Sequence, residues 1–478
     1  MRALSTMLAV SCAGVGPLSA WQSALAGDLG ARADSLFAEY DRPWSPGCAA
    51  GVMQAGRLVW RGGYGMADLE HGVVIDEGTV FRLGSVSKQF TAAAVAQLIL
   101  ESRLSLLDAI QTYLPDFPTY EQPITVAHLL HHASGIRDYG GLMFLAGAGV
   151  DAVYGGEEVY RMLLRQRGLD FTPGSAYGYS NSNYFLLARI VEAVTGERFS
   201  RHLERGVFIP LGMLSTRVQD DHTRLVPGRA VGYQPSEGGD RYRLNDTWIT
   251  VVGAANVFTT IGDMARWDRY VDSLSLEVAT LADLLLKPGR LSSGEPVNYG
   301  AGWQLGTYRG LRTAGHAGAF AGYRADYVRF PDERLGVVAL CNLSSAAPWT
   351  ATRRIAEVVL GDRMQAATPS PTPSPRERPP TGPARIVARA ADYEGRYRSE
   401  ELDAEYRIER GRDSLSLVLP QGLRLGLAPG ESEDVLQAAL PPGPLTFRFT
   451  RDAAGRVSGF LVGAVRLGGI RFERLPPE

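Results

Sequence analysis

The chain has 478 residues, of which 45% are hydrophobic and 21% charged, and its formal net charge is −2 at pH 7. This length and balance suit a globular protein of two or more domains with a packed core. So small a net charge offers no basic field for nucleic acid and no polybasic patch for anionic lipid, which argues against both as partners.

The chain opens with Met1-Arg2, a mostly apolar stretch over residues 3–20, and Ala24-Leu25-Ala26, a small-x-small site suited to signal peptidase. A signal peptide over residues 1–26 is therefore expected, and with it a secreted or periplasmic protein. Cys12, after Ala9-Val10-Ser11, makes a poor lipoprotein site. No later segment has the roughly 20 uninterrupted apolar residues of a spanning helix, so no transmembrane helix is expected in the mature chain. Cys48 and Cys341 then remain, each in a strand-like run. They are expected as buried free thiols, with a disulfide the less favoured alternative, because pairing requires specific Cα separations.

Strand patterns cover residues 49–53 and 58–64 near the start of the large region and 322–330 and 336–343 at its close. Between them run helical patterns, one after Ser85 and one from Ser182 through Glu192, separated by Gly- and Pro-rich loops. Terminal strands enclosing a helical middle predict an α+β fold: an antiparallel sheet flanked by helices, plus a helical lobe. The cleft between them is the natural place for a site. Seven prolines between Gln365 and Arg385 mark a stiff extended linker. Beyond it come short alternating runs such as Tyr406-Arg407-Ile408 and Phe447-Arg448-Phe449, with a hairpin turn at Asp452-Ala453-Ala454-Gly455. These predict a small all-β barrel-like domain. It contains no His, Cys or Lys, so a packing, gating or substrate-contact role is expected of it. The expected organisation is thus 1–26 signal peptide, 27–363 main domain, 364–385 linker and 386–478 β-domain.

Only Lys88 and Lys287 are lysines; the other 47 of the 49 basic residues are arginine. Arginine cannot lose its proton at accessible pH, whereas a partly buried lysine can, so a chain that retains Lys88 has kept a cation able to act as a base. Ser85, three residues earlier in Phe81-Arg82-Leu83-Gly84-Ser85-Val86-Ser87-Lys88, lies one helical turn away on the same face. Ser85 is expected as a nucleophile at a helix start, where the dipole and backbone N–H groups favour developing negative charge. Lys88 is expected as its base or proton relay, with its pKa lowered by that field and by desolvation. Lys287, in Leu286-Lys287-Pro288-Gly289, reads as a solvated residue before a turn.

A second element, Tyr177-Gly178-Tyr179-Ser180-Asn181, precedes the second helix, so that Tyr179 can turn its hydroxyl into a cleft and Asn181 can hold the lysine or a substrate carbonyl. A third, Gly315-His316-Ala317-Gly318, opens the late strands, its small residues permitting close approach. In this order and spacing the three elements resemble the serine β-lactamase and penicillin-binding-protein superfamily, most closely its class C β-lactamase-like branch of D-aminopeptidases, DD-carboxypeptidases and esterases. Supporting stretches are Val126-Ala127-His128-Leu129-Leu130-His131-His132-Ala133-Ser134-Gly135-Ile136, Pro210-Leu211-Gly212-Met213 and Thr259-Thr260-Ile261-Gly262-Asp263-Met264. The likeness spans about residues 29–360. A weaker one links the β-domain to barrels appended to some peptidases of that branch.

The resemblance implies that Ser85 is acylated, that Lys88 and Tyr179 assist it with Asn181, and that the backbone N–H groups of Ser85 and of Ala319, just after Gly318, form an oxyanion hole. His316 replaces the lysine usual in β-lactamases, so a permanent cation becomes one expected to titrate near pH ~6.5, which favours a peptidase or esterase. Gly253-Ala254-Ala255-Asn256 stands where related chains have a glycine-rich turn. His128, His131 and His132 match a structural helix and turn of the family, and no metal or cofactor is expected. Arg137 and Asp138 read as solvated or turn-capping residues. The expected function is a serine hydrolase of small peptides, amides or esters; the alternative is a slow penicillin-binding or non-catalytic binding protein on the same fold. Oligomeric state is left open.

Overall fold

The computed structural model of the chain describes residues 20–149, 152–239, 241–274, 281–366, 386–411, 414–440, 443–464 and 467–476. Six strands form the central sheet: β1 (Cys48–Gln54), β2 (Arg57–Tyr64), β3 (Gln304–Tyr308), β4 (Leu311–Phe320), β5 (Tyr323–Phe330) and β6 (Leu335–Cys341). Their order is β3-β4-β5-β6-β1-β2, antiparallel throughout, so strands from the two ends of the large region meet at the β6–β1 pair.

The helices that matter for the site are α1 (Ala20–Phe37), α2 (Lys88–Leu100), α3 (Val126–Leu130), α4 (Tyr139–Leu145), α5 (Asn181–Thr195), α6 (Ile261–Leu274) and α7 (Pro348–Leu360). Strand β6 has every residue buried, and its side chains divide with period two. Leu335, Val337, Ala339 and Cys341 join the cluster under α1 and α7, with Phe37, Ile355 and Leu360. Val338 and Leu340 face the other way, into the core shared with α2, α5 and α6. Because both faces are covered, β6 reads as a continuous apolar run instead of an alternating one. Helix α2 is likewise apolar nearly all round, with ten of its residues buried, as a helix passing through a core must be.

The free-thiol expectation is corrected: Cys48 and Cys341 form a disulfide. They are register partners on β1 and β6 with Cα atoms 4.0 Å apart, a placement set by strand pairing across 293 residues of sequence.

Eight further strands, from Gly395–Ser399 to Leu467–Arg474, close into a barrel in which Tyr397 of the first pairs with Arg474 of the last. Inward positions alternate along each strand and fill the interior with Tyr397, Tyr406, Phe447, Phe460 and Phe472. Closure removes the sheet edges that would otherwise invite aggregation. Helix Ile386–Tyr393 precedes the barrel. Of the expected linker, residues 367–385 lie outside those described, as do residues 1–19 of the expected signal peptide. The cleavage position expected after Ala26 falls within α1. Among the described residues no helix is long and apolar enough to cross a membrane.

Candidate active site

Ser85 sits one step earlier in the fold than expected, in a 3-10 turn (Gly84–Ser87) that runs into α2 at Lys88. Of residues 81–90 it alone is not fully buried. Its Oγ lies 3.2 Å from Lys88 Nζ and 2.9 Å from Tyr179 Oη, so two groups capable of taking its proton converge on one hydroxyl. Lys88 is 0% exposed. Its ammonium group donates to Ser85 Oγ, to Asn181 Oδ1 at 2.8 Å and to the Ala254 carbonyl at 2.9 Å, and lies over the Tyr179 ring at 4.9 Å. Three acceptors match the three donors of an ammonium, which is how a buried charge is tolerated here. The stretch 253–256, whose effect the sequence alone left undetermined, therefore contributes a lysine acceptor.

Strand β4 supplies the opposite wall. It is pressed against the serine turn so closely that a Cβ on Gly84 would stand 2.8 Å from the Ala319 backbone nitrogen, and one on Gly318 would stand 2.0 Å from the Leu83 carbonyl oxygen. Gly84 also has a positive φ of 53°. Glycine at both positions is what lets the Ala319 N–H and the Ser85 turn approach each other.

His316 is brought into the site, but its expected chemistry is corrected. Burial, followed by the nearby Lys88 charge, pushes its pKa down to about 3, so it is neutral at working pH. Its Nδ1 lies 2.6 Å from the Ala317 carbonyl, which can only accept; the proton is therefore on Nδ1, and Nε2 accepts from the Tyr299 hydroxyl at 3.0 Å. Desolvation holds the Tyr299 phenol well above its usual pKa, consistent with its role as donor. A neutral, internally bonded imidazole gives a substrate carboxylate no cation to bind.

The sign of the linkage is fixed by this shift. As pH falls from about 6.5 toward about 3, the unfolded chain protonates His316 while the folded protein does not, so folding stability falls across that window. Urea titrations at about pH 7 and about pH 4 should therefore show a larger loss for wild type than for His316→Gln. Equal losses would mean that the folded protein carries a charged imidazole.

The three histidines of the helix and turn are structural, and each has its own partner. His128 Nδ1 accepts from Thr125 N in a capping box of α3. His131 Nδ1 lies 3.4 Å from the Tyr299 carbonyl. His132 Nδ1 accepts from Ser180 N and Asn183 Nδ2 at 3.2 and 3.1 Å, and its ring packs 4.3 Å from that of Tyr179 and 4.7 Å from that of Tyr299. The backbone at His132 has φ 56°, an uncommon value for a non-glycine residue, held by these contacts. Its effect is to seat Tyr179.

Arg137 and Asp138, expected as solvated or turn-capping residues, are both buried, Arg137 at 4% exposure and Asp138 at 7%. Asp138 does cap α4, accepting from Gly140 N through Oδ1 at 2.9 Å. Its Oδ2 accepts from both the backbone N and the Nδ2 of Asn181, at 2.7 and 2.9 Å, which turns Asn181 Oδ1 toward Lys88. Asp138, Tyr299 and the Ala254 carbonyl are the site groups that sequence reasoning missed. Asp138 alone left a signal, an acidic residue at a helix start.

Residues 33–360 match the family model described as Beta-lactamase. Over 318 residues the chain is 34% identical to a D-aminopeptidase of Gluconobacter oxydans (strain 621H), an overlap covering 66% of this chain and 59% of that protein. A D-aminopeptidase of Brucella anthropi is 33% identical over 305 residues, or 63% and 57%. The chain thus spans less than two thirds of the length of these relatives. The D-aminopeptidase of Brucella melitensis biotype 2 aligns more fully, at 27% identity over 90% of this chain and 96% of that protein. Among solved structures, the octameric penicillin-binding protein homologue from Pyrococcus abyssi superimposes with a TM-score of 0.61 at 21% identity, covering 93% of this chain and 99% of that one. The D-amino acid amidase from Ochrobactrum anthropi SV3 gives 0.58 at 21%, covering 70% and 99%. At these identities the two structures show a shared fold.

Proposed function

Because this chain belongs to the beta-lactamase family, we propose that it is a serine hydrolase that forms an acyl-enzyme on Ser85 from peptide, amide or ester substrates. The observation that carries this reading is the convergence of Tyr179 Oη and Lys88 Nζ on a single serine hydroxyl at the start of a buried helix. A protein that only binds has no use for a serine hydroxyl held between two groups that can exchange its proton.

In this reading the Tyr179 and Lys88 pair, once it has given up one proton to solvent, takes the Ser85 proton as Oγ attacks the substrate carbonyl carbon. The pair acts as one unit, with Asn181 and the Ala254 carbonyl holding the lysine in place. The oxyanion is received by the Ser85 and Ala319 N–H groups, an interaction that contributes about 3 kcal/mol per donor in comparable sites. The proton returns to the leaving amine or alcohol, and water releases the acyl group by the reverse sequence. Neutral His316 with Tyr299 lines the pocket without supplying charge, which supports a peptidase or esterase over an enzyme anchoring the carboxylate of a β-lactam.

The relatives' name, D-aminopeptidase, points to substrates with a D-configured residue at the acyl position. Hydrolysis of D-alanine p-nitroanilide beside its L-enantiomer tests this: the account expects turnover of the D form that is lost in Ser85→Ala. Preference for the L form, or turnover indifferent to Ser85, would contradict it. Export through the signal segment completes the proposal, and mature protein recovered outside the cytoplasm should begin at Gly27.

A further inference from the structure

The barrel meets the catalytic unit at a buried ion pair. Arg137 donates to Glu401 Oε1 at 2.7 Å, to Gln166 Oε1 at 2.9 Å and to the Gly468 carbonyl at 2.9 Å. Glu401 is 7% exposed and belongs to the turn after the first barrel strand. Its carboxylate also accepts from Arg167 N at 2.8 Å, and its carbonyl from Gln166 Nε2 at 3.1 Å. In the reverse direction, Gly468 N donates to Asp170 Oδ1 at 2.7 Å. Breaking such a pair by removing one partner strands the other as a buried charge, which is costly.

This contact is adjacent in sequence to the site. Arg137 precedes Asp138, the residue that orients Asn181 against Lys88. Its own carbonyl accepts from Ser182 Oγ at 2.6 Å, and Ser182 Oγ accepts from Tyr139 N at 2.8 Å, which ties the start of α4 to the start of α5. The barrel also holds the far end of α4: the fully buried Tyr406 donates to the Leu145 carbonyl at 2.7 Å. Between the two, Leu467 packs on α4 so closely that a Cβ at Gly141 would lie 2.4 Å from it. The helix whose N-cap is Asp138 is thus gripped at both ends by the barrel.

We infer that the barrel is a positioning element for acylation: through Arg137 and α4, Glu401 and Tyr406 fix Asp138, and with it the Asn181 that holds Lys88. The inference rests on the reading of Ser85 as nucleophile. A displacement of about 1 Å at a positioning residue far from the chemistry can cost up to about a hundredfold in rate.

The test is the stopped-flow rate of acylation by p-nitrophenyl acetate in the full chain, for wild type, Glu401→Gln and Tyr406→Phe, each also in an Asn181→Ala background. Glu401→Gln, which keeps shape but not charge, should slow acylation about tenfold, and the slowing should largely vanish once Asn181 is gone, because coupled residues are non-additive. Tyr406→Phe should act in the same direction, and it decides the matter if Glu401→Gln fails to fold by near-ultraviolet circular dichroism. Wild-type acylation rates in the folded variants, or a slowing that persists in full in the Asn181→Ala background, would overturn the inference. Ser85→Ala in the same series separates the two ideas: a dead Ser85→Ala beside unimpaired barrel variants rejects only the positioning role, whereas an active Ser85→Ala rejects the site itself.

Discussion

Ser85→Ala is expected to abolish both the burst and the steady turnover of p-nitrophenyl acetate, lowering kcat by roughly five orders of magnitude. The size follows from the arrangement around Oγ. Tyr179 and Lys88 approach at 2.9 and 3.2 Å, and the close packing of β4 on the serine turn brings the Ala319 backbone nitrogen beside it. Alanine removes the atom that bonds to substrate while leaving Lys88 its other two acceptors, Asn181 and the Ala254 carbonyl. The variant should therefore fold normally, and its failure would be chemical. Retained turnover would move the reaction away from the helix α2 terminus altogether.

Lys88→Arg carries the second largest effect, a loss of about a thousandfold in acylation despite unchanged formal charge, the scale expected when a general base is lost. Two independent reasons converge. The Nζ site is closed, with 0% exposure and acceptors on three sides, so a planar guanidinium can neither fit nor satisfy the same three oxygens. Arginine is also unable to give up its proton, so a proton relay through this position stops. The measurement is single-turnover acylation of the folded variant. Activity near that of wild type would show that a fixed positive charge is all the site requires of residue 88, and would remove lysine from the proton path.

How the sequence exposed this site follows from its geometry. Ser85 and Lys88 are visible because a serine and a titratable lysine one turn apart must share a helix face, and because this chain writes almost every other cation as arginine. The β-barrel was visible in the alternation of Tyr406, Ile408, Phe447 and Phe449, which are its inward positions. What stayed hidden is what tertiary contact decides. Tyr299 lies in the irregular stretch between the helix Leu281–Leu286 and β3, where no periodicity marks it, yet it holds the proton that fixes His316. The ordinary titration expected of His316 gave way to burial, which strand pattern alone cannot quantify. Arg137 and Asp138 read as solvated or turn-capping residues after Ser134-Gly135-Ile136, and only the fold shows Arg137 buried against the barrel and Asp138 against Asn181. Cys48 and Cys341 pair because β1 and β6 are neighbours in one register, a fact of topology and not of spacing.

Acylation at Ser85 means a covalent bond from Ser85 Oγ to the acyl group of the substrate. It is tested most directly by acid-quenching wild type during turnover of p-nitrophenyl acetate and sequencing the tryptic peptide 83–88 by tandem mass spectrometry. That peptide contains two serines, Ser85 and the buried Ser87, whose Oγ accepts from Val257 N. One acetyl group is expected, on Ser85, and none in Ser85→Ala. An acetyl group on another residue, or an unmodified peptide from an enzyme caught turning over, would contradict acylation at Ser85.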